Sequence, residues 1–191
     1  MPIVLYLGAD IKEYEQKSDE IIKEGIRGSR FLCEVCLGAM KRHSRYTREI
    51  AETGQEIEIT VVWCRKCKKW HSLQPDFLLP HKHYSGNEIE SVVIDSATEA
   101  VVLLIETRAS GSTVRRWVKQ IAERMKRAVG ILKYIFGRDG QAVCEVAIDA
   151  GPAYDELEQV LEKAPQTVKC SGNKLGLANI WLGTNNIAAY I

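Results

Sequence analysis

A chain of 191 residues, 46% hydrophobic and 27% charged, is long enough to bury a core without covalent staples. Its longest purely apolar run, Ala100 to Ile105, is far too short to cross a bilayer, and nothing near Met1 reads as a secretory leader. The expectation is a cytoplasmic protein with no membrane partner, whose six cysteines serve something other than an extracellular disulfide framework. The net charge of +1 conceals three basic stretches. Arg27 to Arg48 carries six basic residues against Glu34, Trp63 to His83 five against Asp76, and Ser112 to Lys133 seven against Glu123. Basic charge concentrated this way is the footprint of a phosphate-binding face.

The first 27 residues predict a short strand, Ile3 to Leu7, and a helix from about Ile11 to Lys23. They precede the strongest signal in the chain, the two pairs Cys33-x-x-Cys36 and Cys64-x-x-Cys67. A two-residue gap lets one tight turn aim both thiolates at a single point. Two such turns supply the four sulfurs of a structural zinc site, which leaves no open position for water or substrate. One structural zinc per chain is therefore expected on Cys33, Cys36, Cys64 and Cys67. Buried or redox thiols are the alternative. His43 and His71 could each replace a sulfur, but read better as surface or phosphate-contacting side chains. Cys144 and Cys170 read as small buried hydrophobes.

Between and around the pairs, residues 28–84 read as a zinc ribbon built on a β-hairpin. Lys41 to Glu49 forms the strand leaving the first knuckle, with its basic residues outward. After a Thr53-Gly54 turn, Ile57, Ile59, Val61 and Trp63 alternate as the buried face of the returning strand. Pro75 and Pro80 bracket a connector, Asp76 to Leu79, whose apolar residues dock on the ribbon. Arg45, Arg48, Lys66, Lys68 and Lys69 are the candidate phosphate contacts.

Residues 85–133 carry the pattern of a three-helix helix-turn-helix. Ser85-Gly86-Asn87-Glu88 is a capping box ahead of Ile89, Val92 and Val93. Ser96-Ala97-Thr98-Glu99 is a second, opening a short apolar helix through Val101, Val102, Leu104 and Ile105. Ser110 caps a third helix, with Val114, Trp117, Val118, Ile121 and Met125 on one face. Its other face is basic, and its first turns place Ser112, Thr113, Arg115, Arg116 and Lys119 where a recognition helix meets base edges and phosphates. Trp117 should point into the core. A plain helical bundle is the competing reading.

Residues 134–191 form a mainly helical region. Pro152 opens a helix with Tyr154, Leu157, Val160 and Leu161 on one face. Gly172-Asn173-Lys174 is a turn, and the apolar tail from Leu175 packs on the domain or on a second copy of the chain in a homodimer. No catalytic residues are expected. Asp139, Asp149, Asp155 and Glu156 could hold metal ions, but fewer than sixty residues remain to position them, and a solvated acidic face suits them better.

The stretch from Phe31 to about Phe136 resembles a family of transposase-related proteins of bacterial mobile elements. The resemblance rests on Cys33-x-x-Cys36, on His43 with Arg45-Tyr46-x-Arg48, on Cys64-x-x-Cys67 and His71, on Leu78 through Tyr84, and on Ser112 through Trp117. Leu175 to Ile180 also looks family-like. The resemblance implies a zinc-ribbon-like module, a helix-turn-helix and DNA binding. The fold expected is thus α+β: a small four-cysteine zinc ribbon, a three-helix helix-turn-helix, and a mainly helical C-terminal region. The function expected is zinc-stabilised recognition of double-stranded DNA, for a mobile element or as a small transcriptional regulator. A zinc-stapled protein-interaction or RNA-binding adaptor is the alternative.

Overall fold

The computed structural model describes residues 2–98, 107–137, 150–165 and 168–184. Strand β1 (Pro2–Leu5) is followed by helix α1 (Ile11–Arg27). The helix starts where Asp10 accepts a hydrogen bond from the Glu13 amide at 2.8 Å and Glu13 accepts one from the Ala9 amide at 2.7 Å. This reciprocal capping satisfies donors that the first turn cannot. Strands β2 (Met40–Ile50) and β3 (Gln55–Cys64) then pair antiparallel. The turn between them passes through Gly54 at φ +68°, a backbone conformation that side chains disfavour.

A further strand, β4 (Trp70–Pro75), pairs antiparallel with β3, and β1 joins β4 in parallel. The result is a four-stranded mixed sheet in the order β1-β4-β3-β2. Directly opposed residues share a face of a sheet. Arg42, Thr60, Val62, His71 and Leu73 therefore lie on one face. Helix α1 covers it, with the Tyr14 hydroxyl donating to the Glu58 carbonyl at 2.6 Å. Lys41, Val61, Trp63, Trp70 and Ser72 lie on the other face. The expected alternation of Ile57, Ile59, Val61 and Trp63 holds only in part. Ile57 and Ile59 are buried, while Val61 and Trp63 are half-exposed. Thr60, Val62 and Cys64 on the opposite side are buried as well, because α1 shields the face that a bare hairpin would expose.

The second core is helical. Helix α2 (Gly86–Thr98) begins at Ser85, whose hydroxyl accepts from the Glu88 amide at 3.2 Å. Helix α3 (Gly111–Gly137) begins at Ser110, which accepts from the Thr113 amide at 3.3 Å. It buries Val114, Trp117, Ile121, Met125, Ala128, Val129, Leu132 and Phe136. Helices α4 (Ala150–Glu162) and α5 (Lys174–Thr184) complete this cluster through Tyr154, Leu157, Leu161, Leu175, Ala178 and Leu182. No helix among the described residues is long and apolar enough to cross a membrane.

This arrangement overturns the expected zinc-ribbon hairpin followed by a three-helix helix-turn-helix. The N-terminal strand is part of the sheet, because β4 offers it an edge. Helix α2 continues through Ser96 and Thr98, where a second capping box was expected to open a new helix. The expected helix over Val101 to Ile105 lies outside the described residues. Helix α3 spans 27 residues, about 40 Å at 1.5 Å per residue. A stripe buried along that whole length needs partners along that whole length. The C-terminal helices α4 and α5 supply them, so they are core elements rather than an appended region.

The two cores meet at the connector that follows β4. Asp76 is fully buried, and one of its carboxylate oxygens accepts from the amide and hydroxyl of Ser171 at 2.6 and 2.9 Å. Arg48 donates to the carbonyls of Leu79 (3.0 Å) and Lys82. Phe77 and Leu78 pack with the sheet, and Leu79 with the helices. The connector is thus a joint whose apolar residues are divided between the cores.

Candidate metal centre and basic cleft

The two cysteine pairs sit in turns of matching geometry. In the first, the Leu37 amide donates to the Cys33 carbonyl at 2.7 Å and the Cys33 amide to the Gly38 carbonyl at 3.0 Å. In the second, the Lys68 amide donates to the Cys64 carbonyl at 3.0 Å and the Cys64 amide to the Lys69 carbonyl at 2.9 Å. Leu37 and Lys68, each four residues after the first cysteine of its pair, have φ of 54° and 60°. The left-handed region is unfavourable for such side chains, and both knuckles tolerate it at the same place.

The four sulfurs converge. Cys33 and Cys67 stand 3.4 Å apart, as do Cys36 and Cys64, and all four ligand atoms lie within 4.8 Å of one another. Those separations are far longer than a disulfide bond. They bracket the edge of a tetrahedron with metal–sulfur bonds of about 2.3 Å, which is about 3.8 Å. The donor set therefore fits a metal that prefers four thiolates. Gly38 leaves the room, since a Cβ there would stand 3.2 Å from the Cys64 sulfur and 3.3 Å from that of Cys36. His71 is not on the surface as expected. It is buried, with Nε2 3.2 Å from the Cys33 sulfur, where it can steady a thiolate from outside the four-sulfur set. His43 is exposed and stacks edge-on against Trp70, with ring centroids 4.0 Å apart. Cys170 is half-buried, and Cys144 lies outside the described residues.

The candidate phosphate contacts divide. The Arg45 guanidinium is engaged by Asp19 (2.7 Å) and Glu58 (2.6 Å) on the α1 side of the sheet. Arg48 is half-buried against the connector carbonyls, and the loss of water there holds its pKa below the usual arginine value. Lys66, Lys68 and Lys69 are exposed around the second knuckle. On α3, Ser112, Arg115, Arg116 and Lys119 are exposed and Thr113 is half-buried. Trp117 is 2% exposed and packs on Tyr84 at 4.8 Å, so it is a core residue as expected.

Arg116 does not act alone. It opens onto a cleft of about 560 Å³ shared with His81, Lys82, His83, Gln120 and Arg124. Thr113, Arg116, Gln120 and Arg124 recur at intervals of three or four residues, which places them on one helix face. The connector brings Lys82 up to that face, where its ammonium donates to the Gln120 side-chain oxygen at 3.0 Å. Among the described residues, no carboxylate lines the cleft. Burial, and then the charges of Arg124 and Arg116, push the Lys82 pKa down. Three cations held together with no acidic group among the described lining residues can receive an anion. Sequence reasoning missed Lys82 and Arg124 as site residues. The spacing of Arg116, Gln120 and Arg124 was legible, but their meeting with Lys82 depends on the path of the connector.

Fold and site together define an α+β protein that couples a four-cysteine cluster to a basic cleft. The family model described as a domain of unknown function (DUF6431) matches residues 33–117, a span from the first cysteine to the buried tryptophan of α3. No curated protein and no solved structure matches the chain.

Proposed function

We propose that this chain is a DNA-binding protein whose sheet is stabilised by one structural zinc on Cys33, Cys36, Cys64 and Cys67. The cleft carries the reading: Lys82, Arg116 and Arg124 meet there with no acidic residue among the described residues that line it. A duplex offers such a cleft its regularly spaced phosphates. Ser112, Arg115 and Lys119 are exposed in the neighbouring turns of α3, within reach of flanking phosphates or base edges. Arg115 or Arg116 is the candidate for a bidentate contact to guanine, because a planar fork matches the two acceptors on that base. The resemblance to transposase-related proteins supports a role as the recognition part of a mobile-element system, or as a small transcriptional regulator.

The test is selection of bound duplexes from a random pool, followed by titration of the selected site over a range of salt. The double change Arg116→Ala, Arg124→Ala should weaken duplex binding about tenfold and flatten the salt slope by about two units. Equal affinity in the wild type and the variant would refute the cleft as the DNA site. Duplex binding that does not respond to salt would do the same.

A further inference from the structure

At the knuckle end, the face of the sheet opposite α1 bears an aromatic surface that duplex binding at the cleft does not use. Trp63 on β3 and Trp70 on β4 are directly opposed, with ring centroids 6.2 Å apart. Lys41 on β2 is opposed to Trp63, and its ammonium stands 4.9 Å from the Trp63 ring centroid. The Lys68 ammonium stands 4.7 Å from the same ring. The register slips between Arg42 and Ser44, and His43, the residue so displaced, packs against Trp70. Trp70 is nonetheless 48% exposed. Tyr46, opposed to Ile59 on this same face and 40% exposed, lies about 13 Å along β3 from Trp63 at 3.3 Å per residue.

A large ring left half in water on a sheet face is costly unless something covers it. The charge around it says what kind of partner that is. No Asp or Glu occurs from Val35 to Arg48 or from Thr60 to Pro75. Of the basic residues in those segments, Lys41, Arg65, Lys66, Lys68 and Lys69 lie at the knuckle end, while Arg42 and Arg45 pair with acids on the α1 face and Arg48 meets the connector. An open aromatic surface ringed by cations matches a polyanion that carries flat, stackable groups. A base inside a duplex hides both of its faces in the stack, so these rings suit unpaired bases.

We propose that this face binds single-stranded DNA, with an unpaired base stacked on Trp70 and the adjoining phosphates held by Lys41 and Lys68. This goes beyond the duplex reading and rests on different residues. Only the choice of DNA over RNA leans on that reading. The Lys68 position also makes the site depend on the second knuckle, because its left-handed backbone carries its side chain back over the sheet.

The experiment uses the full metal-loaded chain and fluorescein-labelled dT12, read by anisotropy. Arms with U12, a 12-base-pair duplex and poly-glutamate distinguish the other partners. Trp70→Ala should weaken dT12 binding about tenfold, the loss of one base–aromatic stack. Trp70→Phe, which keeps a ring, should stay within about threefold of wild type. Lys41→Ala gives a milder third variant and should cost about threefold. Wild-type affinity in Trp70→Ala, or equal losses in Trp70→Ala and Trp70→Phe, would overturn the proposal. So would preferred binding of U12 or poly-glutamate. Duplex binding should not change in Trp70→Ala, and it is judged separately by the Arg116 and Arg124 variant. Either reading can thus fail while the other stands.

Discussion

Arg45 and Arg48 stand three positions apart on β2 and so point to opposite faces of the sheet. In the sequence both belong to one basic run, and nothing local says which face is covered by a helix and which by the connector. Their acidic and carbonyl partners come from segments distant in the chain. Asp19 on α1 shows the consequence. It receives Arg42 and also Arg45. The hydrogen bond from Arg42, with the charges of both guanidinium groups, holds its carboxyl below the usual range. A depressed carboxyl pKa contributes stability above the unfolded value near 4 and loses it as the pH falls through the folded value. The Asp19 side chain is 47% exposed, so solvent screens the pairs. Asp19→Asn should therefore destabilise by only about 0.5 kcal/mol at pH 7. Urea melts from pH 7 down to pH 2 check this, and the difference should shrink steadily as the pH falls below about 4. A difference of the same size over that whole range would mean that the aspartate acts through packing rather than charge.

Among the elements, α5 depends most on one distant side chain. Glu90 on α2 is buried and accepts from the Tyr154 hydroxyl at 2.6 Å, the Lys174 amide at 3.1 Å and the Leu175 amide at 3.0 Å. The two amides belong to the first turn of α5, where a carboxylate satisfies open donors and meets the positive end of the helix dipole. One residue thus pins α2, α4 and α5 together. Glu90→Gln keeps the shape but gives up the charge and one acceptor, and should lower stability by about 1–3 kcal/mol. Thermal melts followed by circular dichroism measure it, and an unchanged midpoint would show that α5 is held by its apolar contacts alone. The sequence showed α1, α3 and α4 clearly, because each has a polar cap or an apolar stripe at helical spacing. Helix α5 hid among apolar residues with no clear polar face. Strand β4 hid because Trp70 to Pro75 mixes polar and apolar residues without regular alternation. The capping box expected at Ser96 misread a serine that sits within a helix, since α2 continues through it to Thr98.

At the scale of the molecule, the metal site and the two cores raise the question of what fails first. The cysteine spacing was fully legible, because two-residue gaps dictate knuckles whatever fold surrounds them. The division into a sheet core and a helical core was not, since β1 and α5 find their places through contacts across most of the chain. The knuckles close the ends of β2 and β3 at Met40 and Cys64, so the proposed zinc organises the sheet core, and the helical core needs no metal. Structural zinc contributes about 10–16 kcal/mol in small domains, comparable to the whole stability of a domain. Chelation, or Cys64→Ser, should open the sheet core to protease between Phe31 and Trp70 while α3 stays protected. Fragments identified by mass spectrometry give the readout, and a chain that is equally resistant with and without chelator would disprove it. The parallel pairing of β1 with β4 has one more consequence. Pro2 lies opposite Ser72, so during synthesis β1 must wait for a partner about 70 residues further along the chain. At about 5–20 residues per second, that is a delay of several seconds, during which the β2–β3 hairpin can already close. Strand β1 is therefore made before its three partners in the sheet and is among the last to enter it.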